Sequence, residues 1–381
     1  MLEKNFDFVV GNPPWLSSLI ARKDYQKVIS LLTKLKSLVQ GKFNLSLLFS
    51  IVSYQMTNIR GGLILPLGIL TETYSSKFRE LLTKAMELTK IIVLTNNKFP
   101  RVTNEYVMIF WDRKEKAKNF QVVLEKEKKL FSVKHDFVSK PKFLIPLIPT
   151  KLYSFIREKT AHVDKLGDLC VIRRGLTLTR RYKDHYKKID TFKDSSSVKK
   201  LICHNNYSLE NKEGVYNFQL FYNGNKLLYD PELLGAPGTP SLFEQPKIVR
   251  RNRGKLWFIA LDADGEFFVN DIFDVIVPKE EKNYDIVTLF GYLSSSFVQY
   301  LIENYLQRDI TSNVVREIPV IIGERKNEIY TLTKKWRKSI TKVTTIEFRE
   351  RIDGVIFEIL KLPEKFKLII KKQAPLRWIN A

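Results

Sequence analysis

The chain has 381 residues, 44% of them hydrophobic and 12% aromatic. That is more than one ordinary domain, and it excludes a disordered or low-complexity chain. Its 64 basic and 41 acidic side chains give a formal net charge of +23, the balance of a protein that meets a polyanion, with nucleic acid favoured over an anionic membrane. Two cysteines, Cys170 and Cys203, are too few for a disulfide framework or a four-cysteine zinc site. The histidines (His135, His162, His185, His204) are scattered, and no metal is expected. The adjacent Cys203-His204 pair reads as structural, because neighbours in sequence do not turn their side chains toward each other. No uncharged apolar run is long enough for a membrane span, and the first residues do not read as a signal peptide, so the expected location is cytoplasmic.

In chain order, Phe6-Asp7-Phe8-Val9-Val10 predicts a buried strand that ends in the stiff loop Gly11-Asn12-Pro13-Pro14-Trp15. Leu45 to Met56 predicts a mostly buried helix, broken by Gly61-Gly62, with a short strand at Leu63-Ile64-Leu65-Pro66. Ser75 to Leu88, with Lys77, Arg79, Glu80 and Lys84 between leucines, predicts an amphipathic helix. Lys90 to Thr95 and Glu105 to Trp111 predict strands, and the alternation implies an α/β sheet. Residues 113–145 carry lysine clusters and read as a linker with short strands. From about Leu166 to Pro319, short strands, Gly and Pro turns and aromatics dominate, Ile286 to Leu306 reads as one helix, and Glu324 to Leu360 is again helical with a basic tail.

Asn12-Pro13-Pro14-Trp15 is the segment that carries chemistry. The exocyclic amine of a nucleobase is a poor nucleophile, its lone pair being delocalised into the ring. Two acceptors placed on its two hydrogens favour a pyramidal nitrogen whose lone pair points at an electrophile. The Asn12 side-chain oxygen and the Pro13 carbonyl can be those acceptors, and two prolines hold them in place beforehand. Trp15 offers a flat face for an extruded base. The bland alternative is a Pro-Pro turn with a packed Trp.

These residues resemble the adenine-specific DNA amino-methyltransferases of type II and fused type IIG restriction–modification systems, whose motif is (Asp/Asn/Ser)-Pro-Pro-(Tyr/Phe/Trp). The resemblance runs on in order through Gly41-Lys42-Phe43-Asn44-Leu45, Gly61-Gly62-Leu63-Ile64-Leu65-Pro66, Ser76-Lys77-Phe78-Arg79-Glu80-Leu81-Leu82, and Asn97-Lys98-Phe99-Pro100-Arg101-Val102 with Tyr106 to Phe110. It implies catalytic roles for Asn12, Pro13, Pro14 and Trp15, and a base-stacking role for Phe99 opposite Trp15. More loosely, Leu166-Gly167-Asp168-Leu169 with Arg173-Arg174-Gly175, Pro246 to Arg251, and Leu289 to Tyr300 with Glu317-Ile318-Pro319-Val320 resemble the start, middle and end of a target-recognition domain.

The implied fold is α/β: the C-terminal half of a Rossmann-like class I methyltransferase sheet (residues 1–125), a linker (126–160), a mixed α+β target-recognition domain (161–322) and a C-terminal helical region (323–381). The implied cofactor is S-adenosylmethionine. Its glycine-rich loop precedes the motif in the family, here the motif begins at residue 12, and no two glycines are separated by a single residue. The expectation is therefore a chain without the cofactor half, its first strand left at a sheet edge. Three origins fit: a cofactor-binding half on a separate or upstream-encoded polypeptide, an inactive remnant, or a late gene start. The expected partner is double-stranded DNA, through arginine clusters at Arg173, Arg174, Arg180, Arg181, Arg250, Arg251 and Arg253, because the guanidinium fork matches phosphate and guanine. The runner-up is a non-catalytic DNA-binding specificity subunit. A nuclease is disfavoured: Glu280-Glu281-Lys282 has suitable spacing, but the chain has no Pro-Asp pair.

Overall fold

The computed structural model describes residues 5–15, 45–70, 72–94, 106–125, 128–138, 145, 150–177, 198–202, 215–216, 226–228, 240–252, 257–282, 284–306, 310–338, 341–375 and 378–379. The chain divides into two compact units, Met1–Arg157 and Glu158–Ala381. Among the described residues no helix is long and apolar enough to cross a membrane.

In the first unit, β1 (Phe6–Gly11), β2 (Thr57–Pro66), β3 (Leu88–Val93), β4 (Tyr106–Asp112), β5 (Asn119–Leu124) and β6 (Lys129–Lys134) form one sheet in the order β1-β2-β4-β3-β5-β6. β1 is parallel to β2 and β3 to β5; β4 is antiparallel to both of its neighbours. Strand residues alternate between faces. Leu63, Leu65, Val107, Ile109, Ile91 and Val122 join one core with Leu47 and Ile51 of α1 (Leu45–Met56) and Phe78 and Leu82 of α2 (Ser76–Lys84).

Three expectations change here. In residues 113–145, read as a linker with short strands, β5 and β6 extend the sheet, and β6 lies inside the stretch 126–160. Gly61 and Gly62 do not break a helix but lie within β2, because a Cβ at Gly61 would stand 2.0 Å from the Trp111 ring. Arg79 is not on the wet face of α2; it is 1% exposed.

In the second unit, β7 (Cys170–Arg174), β11 (Lys247–Arg251), β12 (Ile259–Asp262) and β14 (Phe273–Pro278) form an antiparallel sheet in the order β12-β11-β14-β7. β8 (Val198–Ile202), β10 (Lys226–Leu228) and β13 (Phe267–Val269) form a second sheet in the order β10-β8-β13, and β9 (Val215–Tyr216) pairs antiparallel with β15 (Trp378–Ile379). Val249, Phe273 and Val275 of the first sheet share a core with Leu201, Leu227 and Phe268 of the second. Backbone bonds from Leu166 to Ile318 (2.7 Å) and from Val320 to Asp164 (2.8 Å) bring the two ends of this β-rich segment together.

The segment expected as one helix over 286–306 is three pieces: Ile286–Leu293, Ser296–Tyr300 and a π-helical Leu301–Leu306. Ser295 takes extended backbone and its hydroxyl accepts from Val298 N, which starts a new helix. The tail is helical at Lys326–Arg337, Lys342–Leu360 and Glu364–Gln373. Trp336 stacks on Phe348 with ring centroids 4.2 Å apart, and on Phe290.

Candidate functional site

The parallel pairing of β1 and β2 sets the site. Val9 stands opposite Gly61, Val10 opposite Gly62 and Gly11 opposite Leu63, so Asn12 leaves the sheet at the carboxyl edge beside Ile64–Pro66. β4 begins at the same edge, with Tyr106 opposite Pro66. Asn12 and Pro14 are exposed, Pro13 is buried and Trp15 is half-buried. Burial of Pro13 anchors the loop, while the Asn12 amide stays open to a ligand. Trp15 packs on Tyr106, with ring centroids 5.7 Å apart and planes inclined by 38°. Phe99 lies outside the described residues.

The segment that follows β2 runs along the same edge and is tied down by Arg79. Its Nη1 donates to Ile69 O (2.8 Å), Glu72 O (2.9 Å) and Ser75 Oγ (2.6 Å). Burial lowers the Arg79 pKa to about 9, with Glu72 pulling it back up. Sequence reasoning missed Tyr106 and Arg79. One read as a member of a strand and the other as a surface charge, and only strand order and helix rotation reveal their places.

An open cleft lies at the far end of the sheet, lined by Arg60, Lys90, Phe110, Asp112 and Gln121 among others. Arg60 pairs there with Asp112 at 2.5 Å. The Asn12–Trp15 segment does not line it.

Gly61 and Gly62 lie within β2. Their missing side chains make room for Trp111 and for Phe110, which would lie 2.0 Å and 3.0 Å from added Cβ atoms. They are packing glycines.

The arginine clusters separate in the structure. Successive strand residues face opposite sides. Arg173 stands opposite Val275, and Val275 opposite Val249, which puts Arg173 and Arg251 on one face; Arg174, Asp274 and Arg250 stand in one row on the other. Arg173 and Arg251 are exposed. Arg174 donates through Nε to Asp271 O at 2.7 Å and holds the turn between β13 and β14. Arg250 corrects the sequence reading: it is 0% exposed, paired with Asp274 at 2.5 Å, and donates to Ile310 O at 3.0 Å. Burial lowers its pKa, and Asp274 opposes that shift. A guanidinium enclosed in this way cannot reach a phosphate. Arg180, Arg181, Arg253 and the Cys203-His204 pair lie outside the described residues.

Comparison with known families adds to this geometry. Residues 1–99 match the Eco57I restriction-modification methylase family, and residues 208–320 match the TaqI-like C-terminal specificity domain. The chain thus joins a region similar to restriction-modification methylases to a region similar to TaqI-like specificity domains. Among solved structures, the type IIL restriction-modification enzyme MmeI in complex with DNA superposes with a TM-score of 0.62 at 11% identity, over 96% of this chain and 56% of that one. The ATP-dependent type ISP enzyme LlaBIII bound to DNA gives 0.52 at 9% identity, over 88% of this chain and 30% of that one. A nuclease-deletion mutant of the type ISP enzyme LlaGI with a DNA substrate mimic gives 0.50 at 9%, over 88% and 42%. At such identities the likeness is one of fold, a mixed α/β sheet with a helical tail. The chain spans about half of the MmeI chain or less of the others. No curated sequence matches it.

Proposed function

We propose that the chain is the base-handling and target-recognition part of a site-specific DNA adenine methyltransferase. The observation that carries this reading is the Asn12-Pro13-Pro14-Trp15 loop, exposed at Asn12, at the carboxyl edge of a strand parallel to its neighbour. The order β1-β2-β4-β3, with β4 the antiparallel member, supports the C-terminal half of a Rossmann-like methyltransferase sheet.

In this reading an adenine is extruded from the duplex, at a cost of a few kcal/mol, and lies against Trp15. The Asn12 Oδ1 and Pro13 carbonyl accept the two amine hydrogens and hold the lone pair outward. S-adenosylmethionine supplies the methyl group, and the cofactor-binding half adds to the outer edge of β1. Support for that docking comes from Phe6, Phe8 and Val10, which are 47%, 66% and 84% exposed on β1. Arg173 and Arg251 face the DNA backbone, and the protein works in the cytoplasm.

The test is methyl transfer to DNA by the chain combined with a cofactor-binding half, with the product base identified. N6-methyladenine is expected. Asn12→Ala removes one preorganised acceptor and lowers turnover by roughly 10²–10³-fold. Full activity in Asn12→Ala, or methyl found on cytosine, refutes the assignment. Duplex binding with no transfer in any combination favours the specificity-subunit reading.

A further inference from the structure

We infer that Tyr106 is the positioning residue for Trp15, fixing the indole before a base arrives; this deepens the base-stacking role proposed above and rests on it. Trp15 stands four residues past the end of β1, in a segment that belongs to no strand or helix. Nothing in the backbone of such a segment sets a side-chain rotamer. Tyr106 is the opposite case. It is 0% exposed, it opens β4, it sits in register with Pro66, and its carbonyl accepts from Leu94 N at 3.1 Å.

The ring pair at 5.7 Å and 38° lies within the separation at which aromatic rings attract one another. Sequence separation is 91 positions, so only the sheet brings them together. The ring held in the sheet therefore lends its position to the ring in the loop. A fixed indole pays its ordering entropy on folding rather than on binding, which raises affinity for the base without any contact between Tyr106 and that base. Tyr106 also takes up part of the Trp15 surface, leaving the remainder for the ligand. The contact with Trp15 is one of ring against ring, so Phe at this position is expected to serve as well.

The test has two arms. In the first, the protein is labelled with 5-fluorotryptophan, and Trp15 is assigned among the five tryptophans by Trp15→Phe. The Trp15 fluorine resonance is expected to move in Tyr106→Leu and to stay in Tyr106→Phe, with the Trp111 resonance reporting that the sheet remains folded. Tyr106→Met carries the test if Tyr106→Leu does not fold. In the second arm, fluorescence anisotropy compares affinity for a duplex with one adenine opposite an abasic site and for the same duplex fully paired. That ratio removes the general electrostatic attraction. Tyr106→Leu is expected to lower the preference for the unpaired adenine roughly 2- to 10-fold, Tyr106→Phe to keep it, and Tyr106→Leu to have no further effect in a Trp15→Leu background.

A Trp15 resonance that stays in place in Tyr106→Leu overturns the positioning role whatever the DNA arm gives. Additive effects of the two substitutions overturn it as well, since a residue acting through Trp15 has nothing left to act on once Trp15 is gone. A preference absent in the wild type or unchanged in Trp15→Leu overturns the stacking role itself.

Discussion

Replacing Arg250 by Ala separates a fold-building arginine from a DNA-binding one. Arg250 Nη2 lies 2.5 Å from Asp274 Oδ2, and Nη1 donates to Ile310 O at 3.0 Å. Asp274 also accepts from Ser312 Oγ at 2.7 Å and from Asn252 Nδ2 at 3.3 Å. Without the guanidinium, a fully buried carboxylate keeps only neutral donors, and the Ile310 carbonyl loses this one. Breaking a buried pair on one side costs about 3–5 kcal/mol. For a unit of this size each kcal/mol lowers Tm by roughly 2–4 °C, so a fall of roughly 6–20 °C is expected. Salt dependence of duplex binding, measured well below that temperature, should be unchanged, because the group never faces phosphate. Arg251→Ala, on an exposed end of the same strand, should leave Tm nearly intact and reduce the salt slope by about 0.9. Arg250→Met combined with Asp274→Leu should recover much of the lost stability. Wild-type melting of Arg250→Ala together with a slope reduced by about one would refute this account of the pair.

Gly61→Ala should destabilise the first unit by roughly 1–3 kcal/mol, because Trp111 is 1% exposed, packs against Tyr54 and cannot withdraw from the new methyl; an unchanged urea midpoint would contradict this. Asp353 is buried, its Oδ1 accepts from Ser296 N at 2.8 Å, and burial raises its pKa above the ordinary value despite Arg349 and the Ser296 bonds. A raised carboxyl binds more protons folded than unfolded between its unfolded and folded pKa, so its contribution to stability falls as pH rises through that window. Asp353→Asn keeps an acceptor for Ser296 and should flatten the fall of the urea midpoint as pH rises above about 4, the ordinary carboxyl value, with no loss near neutrality; an unchanged slope would count against the assignment.

Most strands of the first unit were legible because their chemistry is local. Phe6 to Val10 is an aromatic and β-branched run, Tyr106 to Asp112 is a near-continuous apolar run, and Leu45 to Met56 has no Gly or Pro. Burial was not legible in the first of these: β1 was expected to be buried, but it lies at the sheet edge and its residues, Val9 apart, are exposed. The Asn12 loop was legible because two prolines after a strand constrain the backbone by themselves. Where the reading went astray, a distant residue decided. Lysines in 113–145 looked like a linker, yet β5 finds its partner in β3 and β6 finds its partner in β5. Ile286 to Leu306 kept an apolar pattern across a break that Ser295 makes by capping a new helix.

The sequence alone determined the kind of chemistry on offer: a polyanion-seeking charge, a strand, and a stiff loop with an amide and an indole. These follow from side-chain type and spacing over a few residues. Which arginines stay in water, and which aromatic stands beside Trp15, were decided only in the tertiary structure. Arg250 and Arg251 are neighbours in the chain with opposite fates, because strand alternation turns one toward Asp274 and the other outward. Arg79 lies on a helix rich in charge, yet rotation of that helix buries it among the carbonyls of a loop. Burial is a property of the neighbours a residue acquires, and those neighbours come from strand order and register, which no local stretch of sequence encodes.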